Sequence, residues 1–406
     1  MADKHYVLFE EQQKDRGINL DEVKEKLRTI KIETPSWGYG DSGTRFKVFQ
    51  QEGVPRDPFE KIEDAAQVQK HTGISPGVAI HIPWDYVDDF TKLKAHAEQH
   101  GVHLGAVNPN LFQDDEYKFG SVTNSDPDIR RKATDHLLEC VDIAKTVGSK
   151  ELSLWFADGT NYPGQADIRK RKHWMYECLS EMYNALDEDM RMLIEYKFFE
   201  PAFYHTDLAD WGMSYNMAQK LGPKAEVLVD TGHHPQGTNI EHIVAYLLDE
   251  KRLGGFHFNS RKYADDDLFA GSLNPYELFL TFYQIVSALY DEDAGVQKNA
   301  KSIAYMLDQC HNLEAKIPAM IRSITNVQTL YAKALLINLD EVQQAQEKQD
   351  VLAAEHAVRK AFEFDVTPLL RVVREEMGVP ADPMAAYLES EYGEKILKRG
   401  KGGASW

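Results

Sequence analysis

Short apolar runs alternate with longer amphipathic stretches along most of this chain. The runs are SWGYG (36–40), GVAIHIPW (77–84), VHLGAVNPN (102–110), KELSLWFADG (150–159), MLIEYKFFE (192–200), AEVLVDTGHH (225–234), GGFHFNSRKY (254–263) and SIAYMLDQCHN (302–312). Each is brief and rich in β-branched or aromatic residues, which predicts strands buried on both faces. The intervening stretches, such as DPDIRRKATDHLLECVDIAKTVG and RKRKHWMYECLSEMYNALDED, carry helical periodicity. Strand and helix in alternation mean parallel strands with helical crossovers. Eight such units predict a closed α/β barrel, a (β/α)8 TIM barrel.

Two flanking regions depart from this period. Residues 1–33 are polar, with a helix expected near NLDEVKEKLRTIKIE. The barrel is assigned to 34–338. From 339 to 406 the pattern is helical, with one long helix expected over DEVQQAQEKQDVLAAEHAVRKAFEF and another over VTPLLRVVREEMG. So long an appendage needs a surface to bury against, either its own barrel helices or a neighbouring subunit, and the expectation leans to the neighbour.

Composition narrows the function. Lys plus Arg number 46 against 65 Asp plus Glu, a formal net charge of -19 in 406 residues. An acidic surface argues against nucleic-acid and anionic-membrane partners and for a small, weakly charged or cationic ligand. Cys140, Cys178 and Cys310 form no CxxC pair, which fits a reduced cytoplasmic protein. The N-terminus shows no signal pattern and no run is long enough to span a bilayer. Neither GxGxxG nor a phosphate loop follows an early strand.

In a parallel barrel the C-terminal strand ends form the active face. Four consecutive strands deliver titratable groups there. The fifth gives Glu195 and Lys197, two residues apart and so on one face. The sixth gives Asp230, with His233 a turn later; the seventh gives His257, with Asp265 and Asp267 in its loop; the eighth gives Asp308. Taken singly each has an ordinary explanation. Asp230 before Thr-Gly reads as an Asx turn, Asp265–Asp267 as a solvated loop, and a lone His233, His234 or His257 as a satisfied core residue. Together, five carboxylates at one mouth must either protonate or surround cations. Carboxylate oxygen with imidazole nitrogen suits Mn2+, Mg2+ or Co2+, and the ligand number suffices for two ions. Trp37, Trp84 and Trp155 near strand ends are candidates for an apolar wall at the mouth, or for ordinary barrel packing.

These residues carry a resemblance. HIPWD at 81, DGTNYPGQ at 158, IEYKFFEPAFYHTD at 194, VDTGHHPQGTNIE at 229, FHFNSRKYADDDLFAG at 256 and LDQCHN at 307 resemble, in order, the xylose-isomerase-like superfamily. More closely they resemble bacterial L-rhamnose isomerases of the broad-specificity type. The resemblance implies two divalent ions per subunit, manganese first, with magnesium, cobalt or zinc as alternatives. Glu195, Asp230, His257 and Asp308 would hold a structural ion. Asp230 as bridge, with His233, Asp265 and Asp267, would hold a catalytic one. It also implies Lys197 at the substrate carbonyl oxygen, His81, Trp155 and Trp37 against the sugar, catalytic roles for Lys197, Asp308 and His233, and a homotetramer. The His-and-Asp ring-opening pair of xylose isomerase has no match at this spacing. An aldose–ketose interconversion can run by hydride shift, which needs no protein base, or through an enediol, for which Asp308 would take the C2 proton; two ions and a lysine favour the first. The competing readings are a ketose 3-epimerase on a related barrel, a metal-dependent phosphodiesterase, and a metal-storing barrel.

Overall fold

The computed structural model describes residues 4–41, 48–200, 204–310 and 313–402. Its centre is a closed barrel of eight parallel strands: β1 (Ile32–Pro35), β2 (Gly77–Ile82), β3 (His103–Pro109), β4 (Glu151–Leu154), β5 (Arg191–Glu195), β6 (Ala225–Asp230), β7 (Leu253–Phe258) and β8 (Ala304–Leu307). Each strand pairs with its sequence neighbours, and β1 closes on β8 through Ile32↔Tyr305 and Glu33↔Met306. Every position of β2 and β7 is buried, which is why these strands read as continuous rather than alternating apolar runs.

The helices form the outer layer. They are α1 (Lys4–Asp15), α2 (Leu20–Thr29), α3 (Pro58–Thr72), α4 (Phe90–Gln99), α5 (Pro127–Val147), α6 (Ile168–Ala185), α7 (Trp211–Leu221), α8 (Ile240–Asp249), α9 (Pro275–Leu289), α10 (Ala294–Lys301) and α11 (Lys316–Leu335). Local chemistry sets their ends. Asp57 caps the N-terminus of α3 ahead of Pro58, and Asp126 caps α5 ahead of Pro127, each accepting an otherwise orphaned backbone N–H. Gly148 ends α5 in the left-handed conformation that glycine adopts without strain.

The first strand differs from expectation. SWGYG is not a strand: Ser36–Tyr39 is a single 3₁₀ turn, and β1 lies just before it, in IETP. The reason is Glu33, an inward-facing carboxylate that interrupts the apolar signature of β1. Its Oε2 accepts the Ala106 N–H at 3.1 Å across the barrel interior. The space it fills is left by Gly105, whose Cβ would stand 1.7 Å from Glu33 Oε1. Nearby, Arg191 ties β4 to β6 through Glu151 and Glu226, the latter at 2.7 Å. The barrel therefore begins at Ile32, inside the stretch assigned to the N-terminal segment, which itself carries two helices.

The C-terminal region also differs. The long helix expected over 340–364 is two, α12 (Leu339–Glu347) and α13 (Val351–Glu363), separated where Gln349 takes a φ of 57°. Asp350 then caps α13. Beyond them lie α14 (Thr367–Glu376), α15 (Pro383–Leu388) and α16 (Tyr392–Leu397). The extension packs on its own barrel. Arg374 of α14 is buried and donates to Gln328 of α11 at 2.7 Å. Arg399 pairs with the buried Asp64 of α3 at 2.9 Å, and Tyr392 donates to the same carboxylate at 2.8 Å. No helix among the described residues is long and apolar enough to cross a membrane.

Candidate metal centre and sugar pocket

Register decides which side chains meet. In β6 and β7, Asp230 and His257 are direct partners, and residues paired in a parallel ladder share a face. Leu228, two before Asp230, pairs with Glu195 of β5, while Met306, two before Asp308, pairs with His257. Glu195, Asp230, His257 and Asp308 thus project inward at the C-terminal mouth. Leu193, Leu228, Met306, Ala79 and Ala106 form the apolar layer beneath them. This layer closes the barrel floor and keeps the polar groups at the open end.

The geometry resolves into two ligand groups sharing one residue. In the first, Glu195, Asp230, His257 and Asp308 each bring a ligand atom within 4.8 Å of the others. In the second, Asp230, His233 and Asp265 do the same. His257 Nδ1 stands 3.2 Å from Glu195 and 3.5 Å from Asp308. His233 Nε2 stands 3.4 Å from Asp265, while its Nδ1 lies 3.1 Å from the Tyr196 carbonyl oxygen. With Nδ1–H donating to that carbonyl, Nε2 keeps its lone pair toward the mouth. Asp267, in the left-handed region at φ 48°, lines the same cavity but stands outside both groups; its Oδ2 accepts from Cys310 Sγ at 3.2 Å. Asp266 caps a turn, accepting the Tyr263 N–H at 2.8 Å.

The electrostatics fit dications. Burial, against the pull of His233, pushes Asp230 up to about 7. Burial would raise Glu195 too, but the facing imidazoles hold it down at about 2. Burial disfavours the His257 cation, yet Glu195, then Asp308, lift it to about 9. The cluster gathers protons onto imidazole and carboxylate alike, as an uncompensated set of acids must. Glu195 Oε1, His257 Nδ1 and Asp265 Oδ1 are buried and, though charged neighbours stand close, make no well-directed hydrogen bond among the described residues, an arrangement that is costly unless another ligand engages them. Oxygen and imidazole donors in this number suit hard or borderline divalent ions.

Lys197 lies at the rim. Its ammonium donates to Asp265 at 2.6 Å and Glu200 at 2.7 Å, and stands 5.0 Å from the Trp155 ring centre. Burial opposes its charge, but Asp265 and Glu200 raise its pKa further. The lysine is held cationic beside the second ligand group. Across a cavity of about 270 Å³, Trp37, His81, Trp84, Phe112 and Trp155 build an aromatic wall. His81 stacks on Trp84 at 3.7 Å, and Trp37 donates to Asp308 at 2.8 Å. His81 Nδ1 and Trp155 Nε1 are buried and have no hydrogen-bond partner among the described residues, which suits them to meet hydroxyl groups.

Every expected site residue therefore reaches one mouth. His234, expected as an ordinary core histidine, meets Tyr196 OH at 2.7 Å. Three contributors escaped sequence reasoning. Asn259 donates to both oxygens of Asp230, at 3.0 and 3.1 Å. Its signal was present, since it follows His257 by two. Asn108 and Phe112 lie on and after β3, whose polar end was not collected. Pro201–Phe203, His311 and Asn312 of the recognised motifs lie outside the described residues.

Comparison with known proteins agrees with this fold. Residues 72–276 match the model described as xylose isomerase-like TIM barrel. A probable sugar isomerase of Rhizobium meliloti is 43% identical over 94% of this chain and 89% of its own length. One of Mesorhizobium japonicum is 41% identical over 97% and 91%. A xylose isomerase of Brucella anthropi is 28% identical over 55% of this chain and 52% of its own. Among solved structures, a D-allulose 3-epimerase from Methylomonas sp. superposes with TM-score 0.54 at 14% identity, covering 74% of this chain and 98% of that one. An L-ribulose 3-epimerase gives 0.53 at 11%, covering 81% and 99%. At such identities the likeness is one of fold.

Proposed function

The chain belongs to the xylose isomerase-like TIM-barrel family, and from that premise we propose that it interconverts an aldose and a ketose, L-rhamnose and L-rhamnulose foremost, with tolerance for other aldoses. The observation that carries this reading is the pair of ligand groups sharing Asp230, with the Lys197 ammonium beside the second. The L-rhamnose preference rests on the motif resemblance from HIPWD to LDQCHN.

Two divalent ions, manganese first, would be held by Glu195, Asp230, His257 and Asp308, and by Asp230, His233 and Asp265, with Asp267, which lines the same cavity, as the further ligand that the resemblance implies. Bound there, they would supply Lewis acidity to adjacent sugar oxygens. The protein's own groups do the rest. Lys197, kept charged by Asp265 and Glu200, stabilises negative charge developing at the carbonyl oxygen. Trp37, Trp84, Trp155 and Phe112 pack the sugar's C–H faces and exclude water, while His81 Nδ1 and Trp155 Nε1 take up hydroxyls. Asp308 is steered by Trp37 Nε1–H, which fixes its second oxygen toward His257. A hydride shift uses this arrangement without a protein base.

The competing 3-epimerase needs one ion and two acid–base carboxylates facing the substrate. The second ligand group, His233 with Asp265, weighs against it. An assembly of four copies and a cytoplasmic location complete the proposal. The test is an aldose panel incubated with manganese-loaded protein, with ketose formation measured. Ketose from L-rhamnose is expected. No ketose from any aldose, alongside 3-epimerisation of a ketose, would overturn the isomerase reading.

A further inference from the structure

On the outer layer of the barrel, Glu63 of α3 and His96 and His100 at the end of α4 bring three ligand atoms within 4.8 Å of one another. The two histidines stand four residues apart, which stacks them on one helix face. Their ring centres are 4.5 Å apart. Glu63 Oε1 lies 3.9 Å from His96 Nε2. That nitrogen is a buried atom with no hydrogen-bond partner among the described residues. Phe59 of α3 packs edge-on against the His96 ring at 5.2 Å and fixes its plane.

The end of α4 favours a cation. His100 is the C-cap residue of α4, where the last carbonyl groups leave partial negative charge. Lys395 of α16 approaches Glu63 Oε2 at 3.7 Å, which leaves Oε1, the atom turned toward His96, to act as a ligand. Two imidazoles and one carboxylate are the donors of a borderline ion rather than of Mg2+ or Ca2+, which prefer oxygen alone.

We infer that Glu63, His96 and His100 form a zinc-class metal site on the outside of the barrel, which clamps α3 to α4. Bonds of about 2.0–2.1 Å in a tetrahedron put ligand atoms roughly 3.3 Å apart, so closure draws together three ligand atoms that already lie within 4.8 Å of one another. Water takes the fourth position. The ion binds the folded chain alone, since nothing holds the three groups together once α3 and α4 separate, and it stabilises the fold by mass action. The site is structural and takes no part in turnover.

The experiment counts zinc. Metal-stripped parental protein and the H96Q/H100Q variant are dialysed to equilibrium against Zn2+ and assayed for bound zinc per chain. The barrel mouth is the same in both, so the difference reports the outer site. The parental chain should hold one zinc more than the variant, with isomerase turnover under saturating Mn2+ unchanged between them. H100Q alone, at an exposed position, should weaken the extra zinc at least tenfold with the fold intact. K395M removes a competing cation and should tighten it. Equal zinc counts in parent and double variant, or weaker outer binding in K395M, would overturn the assignment.

Discussion

Lys61 and Asp85 form a buried ion pair at 2.7 Å, and both side chains are essentially closed to water. Asp85 also accepts the His81 backbone N–H at 2.8 Å and a hydrogen bond from Ser36. The pair therefore sets where His81 sits, and with it the face of the sugar pocket.

Breaking this pair by Lys61→Met leaves a buried carboxylate without its cation, and should cost about 3–5 kcal/mol of stability. The urea midpoint measures the loss. K61M/D85N, neutral at both positions, should recover much of it. If K61M unfolds at the parental midpoint, Lys61 does not support the pocket.

Lys197→Met removes charge from the rim while leaving every proposed metal ligand in place. Turnover should fall about 10²–10³-fold, in the range seen when one donor to a developing oxyanion is lost. Metal content by elemental analysis should stay at the parental value. A matching fall in bound metal would make Lys197 a scaffold for Asp265 instead.

Asp265→Asn removes a carboxylate from the second ligand group and one of the two partners of Lys197. It should release one ion per chain and reduce turnover by more than the roughly 10–100-fold that outer-shell changes cost. Stripping all metal with a chelator should abolish turnover, and Mn2+ should restore it. Parental turnover in D265N would remove that aspartate from the ligand set.

Glu33 gives a pH signature. Burial, then the neighbouring Glu151, pushes its carboxyl from the ordinary 4.5 up to about 8. The folded chain holds that proton to about pH 8, whereas the unfolded chain gives it up near 4.5. The contribution to stability is therefore complete below about pH 4.5 and is lost as pH rises from there through 8. Glu33→Gln should flatten the decline in urea midpoint between pH 5 and 8. An unchanged slope would show that Glu33 titrates normally.

Much of this was legible from the chain alone because β6, β7 and β8 end abruptly in acids and imidazoles, and a barrel sends all such ends to one mouth. Period two then predicted that Glu195 and Lys197 share a face. What escaped reading has physical causes. β1 was hidden because Glu33 places a carboxylate inside a strand, which the apolar pattern cannot signal. The break between α12 and α13 was masked by good helix formers on both sides of Gln349, although Asp350 is a strong cap. Lys61 and Asp85 are 24 residues apart, and only the fold brings them together.

Helix α3 carries Lys61 inward to Asp85, Glu63 outward to His96, and Asp64 to Arg399 near the end of the chain. Four consecutive positions thus join the mouth, the rim of the outer layer and the tail. An exopeptidase that trimmed the protein back past Arg399 would strand Asp64 without its cation, and the resulting slack in α3 would be felt in the grip on the sugar, some three hundred residues upstream of the cut.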